Sequence, residues 1–200
     1  MAESDPSSLT RLKEEFQKLP GIGPRSAERL AFHILKSDTP AALALAGAIR
    51  EVKERVRHCR ICYNLTETDP CAICADPRRD QGQVFVVEQP KDLILLESTG
   101  LVRGVYHVLL GHIAPLDGIE PGDLTLDALM ARVKAGGINE VVLATNPTLE
   151  GEGTALHIKS LLADREVNVT RLARGLPSGS QIEYASRAVL EDAIKGRRTF

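Results

Sequence analysis

Two hydrophobic rhythms share this chain. Over the first third, apolar residues recur three and four positions apart, the spacing of a helix with one buried face. Leu9, Leu12, Phe16 and Leu19 mark a first helix, with Ser7 or Ser8 available to cap it. The run LPGIGPRSAERLAFHIL (19–35) stops that helix at Pro20-Gly21-Ile22-Gly23-Pro24. It resumes with Ala27, Leu30, Ala31 and Ile34 as the stripe of a second. A third helix is predicted from about Pro40 to Arg57. It carries Leu45, Ile49, Val52 and Val56 inward, with Arg50, Lys53, Arg55 and Arg57 mostly on its other face.

From residue 83 the rhythm changes to short apolar runs alternating with helical stretches. Val84–Val87, Val105–Leu110, Glu140–Thr145 and Val167–Leu172 read as strands; Leu93–Glu97, Leu126–Lys134 and Thr154–Ala163 read as helices. Such alternation predicts a mainly parallel sheet flanked by helices. Sites in such sheets lie beyond the carboxyl ends of the strands, where Glu88 and the Asn146–Glu152 loop fall. The Gly/Pro-rich run GHIAPLDGIEPGD is long enough to be a lid or a docking surface. Gly175 and Gly179 bracket Pro177 in a turn, and the tail reads as a strand and helix that complete the fold or make an oligomer contact.

Chemistry enters with the cysteines. All four fall in one window, Cys59-x2-Cys62-x8-Cys71-x2-Cys74. Each CxxC pair places two thiolates on one knuckle, and two knuckles close a tetrahedral shell with no position open to water. That is a structural zinc site, one ion per chain; two disulfides are the alternative. No run is long and apolar enough for a membrane span, and the polar, acidic N-terminus has no secretory pattern, so a reducing cytoplasmic setting is expected.

The net charge of −2 hides an uneven distribution, with balances of +2 over residues 1–79, −7 over 80–155 and +3 over 156–200. Nucleic acid is therefore expected at the ends of the sequence rather than its centre. Gly21 and Gly23 can turn tightly and present bare N–H groups at a helix N-terminus, with Arg25 and Arg29 on one face beside them. A plain αα-hairpin with a glycine turn is the other reading. The stretch resembles the helix-hairpin-helix motif, which implies contact with the phosphate backbone and no reading of bases.

Two further runs carry a resemblance. VVEQPKD (86–92) and ATNPTLEGE (144–152) resemble Toprim domains, which place a glutamate after the first strand and an ATDxDxEGE-type sequence after a later one. Glu88, Glu150 and Glu152 match, whereas Asn146 and Thr148 stand in place of both aspartates. Magnesium favours several hard carboxylate oxygens, and an amide plus a hydroxyl remove two negative charges. The resemblance therefore implies a Toprim scaffold with a vestigial metal site, available for partner docking.

The order of parts, from Leu19 to Arg198, resembles the RecR family of recombination mediators. The expected fold is a multi-module α/β chain: a helix-hairpin-helix domain (1–57), a small zinc finger (58–79), a Toprim domain (80–175) and a C-terminal tail (176–200). The resemblance implies a protein without nuclease or topoisomerase activity that forms a homo-oligomer, dimer or tetrameric ring, able to surround DNA. It implies action with RecO, and in some settings RecF, to help load RecA onto strands coated by single-strand-binding protein. The family's tail has an acidic residue after an LEYA-like run; here IEYA (182–185) is followed by Ser186-Arg187. A metal-dependent Toprim nuclease or nicking enzyme using Glu88, Glu150 and Glu152 is the competing reading, and a zinc-dependent interaction protein without DNA contact is a third.

Overall fold

The computed structural model describes residues 5–199 and divides into two units, Met1–Val56 and Arg57–Phe200. In the first unit, α1 (Ser7–Gln17) and α2 (Pro24–Lys36) pack as an antiparallel hairpin, and α3 (Thr39–Arg55) follows. The stripe predicted for α2 is correct: Ala27 and Ala31 are buried, while Leu30 and Ile34 are half-buried. Lys13 of α1 bridges Asp5 at 2.5 Å and Glu28 of α2 at 3.2 Å, and its ammonium lies 4.9 Å from the centre of the Phe32 ring.

Two expectations for this unit need correction, the α1 cap and the α3 stripe, and the glycine turn gains detail. Residue Pro6, not Ser7 or Ser8, occupies the cap position of α1. Only Gly21 adopts a left-handed φ, +78°; Gly23 is extended at φ −86°, ψ 174°, and caps α2 ahead of Pro24. The α3 stripe is helical but does not point into a core, since Leu45, Ile49 and Val52 are 45%, 60% and 58% exposed and only Val56 is half-buried. Periodicity shows that a face is apolar without showing what covers it.

The second unit opens with a two-stranded antiparallel ribbon, β1 (Arg57–His58) and β2 (Leu65–Thr66), and one turn of helix, α4 (Ala72–Ala75). A four-stranded parallel sheet follows, in the order β4 (Gly104–Val108), β3 (Asp80–Val87), β5 (Glu140–Leu143), β6 (Asn168–Arg171). One face packs Val84, Val86, Val105, Val141 and Leu143 against α6 (Leu126–Lys134) and α7 (Leu149–Leu161). The other packs Val87, Tyr106 and Val108 against Leu93 of α5 (Pro90–Ser98), and Tyr63 and Ile73 of the cysteine module lie on that same face. The module also covers the free edge of β4, where the Val108 amide donates to the Cys62 carbonyl at 2.8 Å. An edge strand with unpaired backbone groups invites pairing with other chains, so this cover has a protective value.

Most strands and helices here shift by a few residues from expectation, β3 starting at Asp80 and α5 at Pro90, and two differences bear on function. Helix α7 begins at Leu149, five residues before Thr154, so Glu150 and Glu152 belong to its first turn and only Asn146–Thr148 remain loop. In the tail, Ile182–Tyr184 is a 3₁₀ turn rather than a strand, and α8 (Arg187–Lys195) follows, capped by the Ser186 hydroxyl. Among the described residues, no helix is long and apolar enough to cross a membrane.

Candidate functional site

The chain leaves β3 and returns in β4 on one side and β5 on the other, so the crevice between β3 and β5 is the switch point of the sheet. Glu88, one residue past β3, sits in that crevice and is only 3% exposed. Asn146, just past β5, donates to it twice: its amide N–H to Oε1 at 2.7 Å and its side-chain Nδ2 to Oε2 at 2.8 Å. His112 Nδ1 lies 3.1 Å from the same Oε2. Both oxygens of the buried carboxylate are thereby engaged by the protein itself.

Thr148 has a different task. It caps α7, its Oγ1 accepting from the Gly151 amide at 3.1 Å. Gly151 is required by close approach, because a Cβ there would stand 2.1 Å from the Asn146 carbonyl oxygen and 2.7 Å from Glu88 Oε1. Glu152 turns away from the crevice and accepts from Arg171 Nη1 at 2.7 Å; Arg174 presses on the same carboxylate and also reaches Asp192 of α8, 3.7 Å away. Glu150 is exposed and, among the described residues, makes no salt bridge. The structure thus brings Glu88 and Asn146 together, gives Thr148 to helix capping, and separates Glu150 from Glu152. His112, Arg171 and Arg174 were missed from sequence because their partners lie 18 or more residues away.

Beside the crevice, a groove of about 590 Å³ runs between the 113–121 loop and α7. Leu116 and Leu149, both fully or nearly fully exposed, flank it, with Asp117, Glu120 and Glu150 among its lining. The loop is fixed at its start by the Ile113 amide, which donates to Thr154 Oγ1 at 2.9 Å.

The four cysteine ligand atoms lie within 4.8 Å of one another. Sulfurs about 2.3 Å from one tetrahedral zinc stand roughly 3.8 Å apart, so the donor set fits that ion. Cys59, Cys62 and Cys71 are buried. The amides of Ile61 and Cys71 donate to Cys59 Sγ at 3.5 and 3.4 Å. Burial alone would raise the Cys59 thiol, but these donors and that of Cys62 bring it down to about 7. The side chain of Cys74, then burial, pushes the Cys62 thiol up, and burial first pushes Cys71 up to about 11. A divalent cation reverses this mutual penalty and holds the thiolates deprotonated. His58, exposed, bonds the Tyr63 carbonyl at 2.9 Å and stays outside the cysteine set.

At the other end of the chain, the Gly21–Gly23 turn, Arg25 and Arg29 are all exposed on or before the first turns of α2, except Ile22, which is half-buried. A Cβ at Gly21 or Gly23 would meet nothing within 4 Å, so the backbone there is open to approach.

Comparison with known proteins is decisive at this point. The family model of the RecR helix-hairpin-helix matches residues 9–53, that of the RecR four-cysteine zinc finger 56–76 and that of the Toprim domain 82–173. A recombination protein RecR of Rhodopirellula baltica is 53% identical over 191 residues, 96% of each chain. The chain belongs to the RecR family. A RecR of Chloroflexus aurantiacus is 53% identical over 95% of this chain and 93% of its own, and one of Rubrobacter xylanophilus 52% over 96% of each. With the zinc-finger match and the ligand geometry together, Cys59, Cys62, Cys71 and Cys74 form a site for one structural zinc.

Proposed function

We propose that this RecR-family chain is a non-catalytic, DNA-binding mediator of recombinational repair. It acts in the cytoplasm with RecO, and in some settings RecF, to help load RecA onto single-stranded DNA coated by single-strand-binding protein. The observation that carries the non-catalytic part is the state of the carboxylates at the switch point. Glu88 is occupied by Asn146 and His112, and Glu152 by Arg171 and Arg174, which leaves Glu150 as the one unengaged member of the trio among the described residues. A metal-dependent phosphoryl-transfer site gathers about three or four carboxylates around one or two cations. Magnesium would have to displace several charge-assisted hydrogen bonds to reach Glu88.

The four working parts are residues 1–57, 58–79, 80–175 and 176–200. The first binds DNA through Gly21, Gly23, Arg25 and Arg29, without sequence preference. The vestigial cleft, with Glu150 and the acidic, apolar groove beside it, serves partner docking: the −7 balance of this region repels DNA and suits a basic protein surface. The exposed Leu45, Ile49 and Val52 stripe supports self-association, as dimer or tetrameric ring.

The test is an incubation of supercoiled plasmid with purified protein and magnesium or manganese, beside gel shifts on unrelated DNA sequences. The expected result is binding with no nicking. Metal-dependent cleavage that copurifies with the protein and vanishes in Glu88→Gln would replace this reading with the nuclease one.

A further inference from the structure

Four thiolates around one divalent zinc carry a net charge of −2, and here three of the four cysteines are buried. A buried charge of this size calls for hydrogen-bond donors and a nearby cation. Backbone amides supply donors, those of Ile61, Cys62 and Cys71 to Cys59, that of Asn64 to Cys62 and that of Cys74 to Cys71, but they bring no net charge. The cations of the module itself face elsewhere. Arg60 is 70% exposed and lies 4.0 Å from Asp69, Arg57 reaches the Glu67 carbonyl, and Arg78 pairs with Asp76. Arg79, at the exit of the module, pairs with Glu97.

Arg132 presents the complementary puzzle. It lies on α6, on the opposite face of the sheet, yet it reaches around the free edge of β4 to donate from Nη1 to the Tyr106 carbonyl at 2.8 Å. Its side chain is half-buried, and among the described residues no carboxylate pairs with it. Tyr106 O and Val108 N are neighbouring outward-facing groups on that edge, about 7 Å apart at most along a strand. The second of them is held by the Cys62 carbonyl. The guanidinium and the first zinc knuckle therefore stand side by side on one strand edge.

We propose that Arg132 is the charge partner of the zinc centre, a positioning residue that offsets the tetrathiolate and fastens the module to the sheet. The half-buried cation without a carboxylate and the unbalanced buried anion answer one another. Burial lowers the guanidinium pKa, while all four cysteines raise it, Cys74 most. The role is independent of the DNA-binding reading, since it concerns only metal retention.

The test uses the zinc-loaded full chain. Wild type, Arg132→Met, Arg132→Lys and the exposed same-helix control Lys134→Met are compared for zinc release to a chromogenic chelator. The cobalt-substituted forms are compared for the energy of the thiolate-to-metal charge-transfer band. Loss of an outer partner weakens metal sites by about ten- to a hundredfold. Arg132→Met should release zinc faster by a factor in that range and shift the band, Arg132→Lys should recover much of both, and Lys134→Met should match wild type. If Arg132→Met does not fold, the Lys variant decides: wild-type-like retention and band support the charge role. Equal release from Arg132→Met and wild type would overturn the proposal. So would faster release from both Arg132 variants with an unmoved band, which would reduce Arg132 to a hydrogen bond to the strand.

Discussion

Gly151 and Gly153 lie two residues apart in α7, and replacing each by Ala should move stability in opposite directions. In an open helix interior, Gly→Ala gains about 1 kcal/mol from propensity and reduced freedom of the unfolded chain. Gly153 is such a position, since a Cβ there meets nothing within 4 Å. At Gly151 the same Cβ would lie 2.1 Å from the Asn146 carbonyl oxygen, against the 3.4 Å at which ordinary contact begins. The carbonyl would have to retreat by about 1.3 Å, the difference of those two distances. That retreat would draw the Asn146 amide from Glu88, which it meets at 2.7 Å. Overpacking costs about 1–3 kcal/mol and a weakened hydrogen bond to a buried carboxylate about 1.5–3, against the gain of about 1. A net loss of about 1.5–5 kcal/mol is expected for Gly151→Ala, and a gain of up to about 1 for Gly153→Ala. Urea unfolding followed by far-ultraviolet circular dichroism measures both. A Gly151→Ala protein as stable as wild type would refute the close packing of α7 on the Asn146 loop.

Arg25→Ala with Arg29→Ala should weaken binding to unrelated DNA sequences alike and reduce the slope of log affinity against log salt by about two, read by fluorescence anisotropy; unchanged binding by the folded variant would remove the assignment. Cys59→Ser should lower zinc from one ion per chain in elemental analysis and destabilise the second unit, because structural zinc sites contribute on the order of ten kcal/mol of binding free energy in small peptides. His107 is wholly buried, and burial depresses it from 6.5 to about 4 despite its bond to Thr125. Below pH 6.5 the unfolded chain takes up a proton that the native state refuses until about pH 4, so stability complete above 6.5 falls by about 3 kcal/mol across that window. His107→Gln, which cannot titrate, should flatten that part of the profile, and an unchanged difference between the two proteins from pH 7 to 5 would contradict the account. Glu150→Lys should reduce capture of RecO more than of DNA in paired pull-downs; the reverse ranking would count against docking at the cleft.

The helices of the hairpin and the strands of the parallel sheet were legible because each carries a local signal. The turn at 20–24 has its prolines and glycines, the zinc site its spacing, and the strands their short valine-rich runs. The start of α7 was not, because EGEG reads as a loop when the packing that demands Gly151 is unknown. Thr148, followed by acidic residues in a first turn, carried the helix-start signal that could have corrected it. Asn146 and Thr148 were legible as missing ligands but not as working residues. Their tasks, a double donor to Glu88 and a helix cap, depend on a contact 58 residues distant and on a helix placed too late. The exposure of α3 shows the same limit, since a single chain's pattern does not say which surface meets the stripe.

The cover that the Cys62 carbonyl gives to Val108 changes what metal loss means for the protein as a material. A chain stripped of zinc releases the module from β4 and bares a parallel strand edge, with the Val108 amide free to pair with a strand from another molecule. Such molecules are expected to meet edge to edge and leave solution together. Zinc depletion, by chelator during purification or by scarcity in growth, is then a solubility event with steep dependence on protein concentration. The missing material should collect in the pellet, and what stays soluble should be enriched in chains that kept their metal.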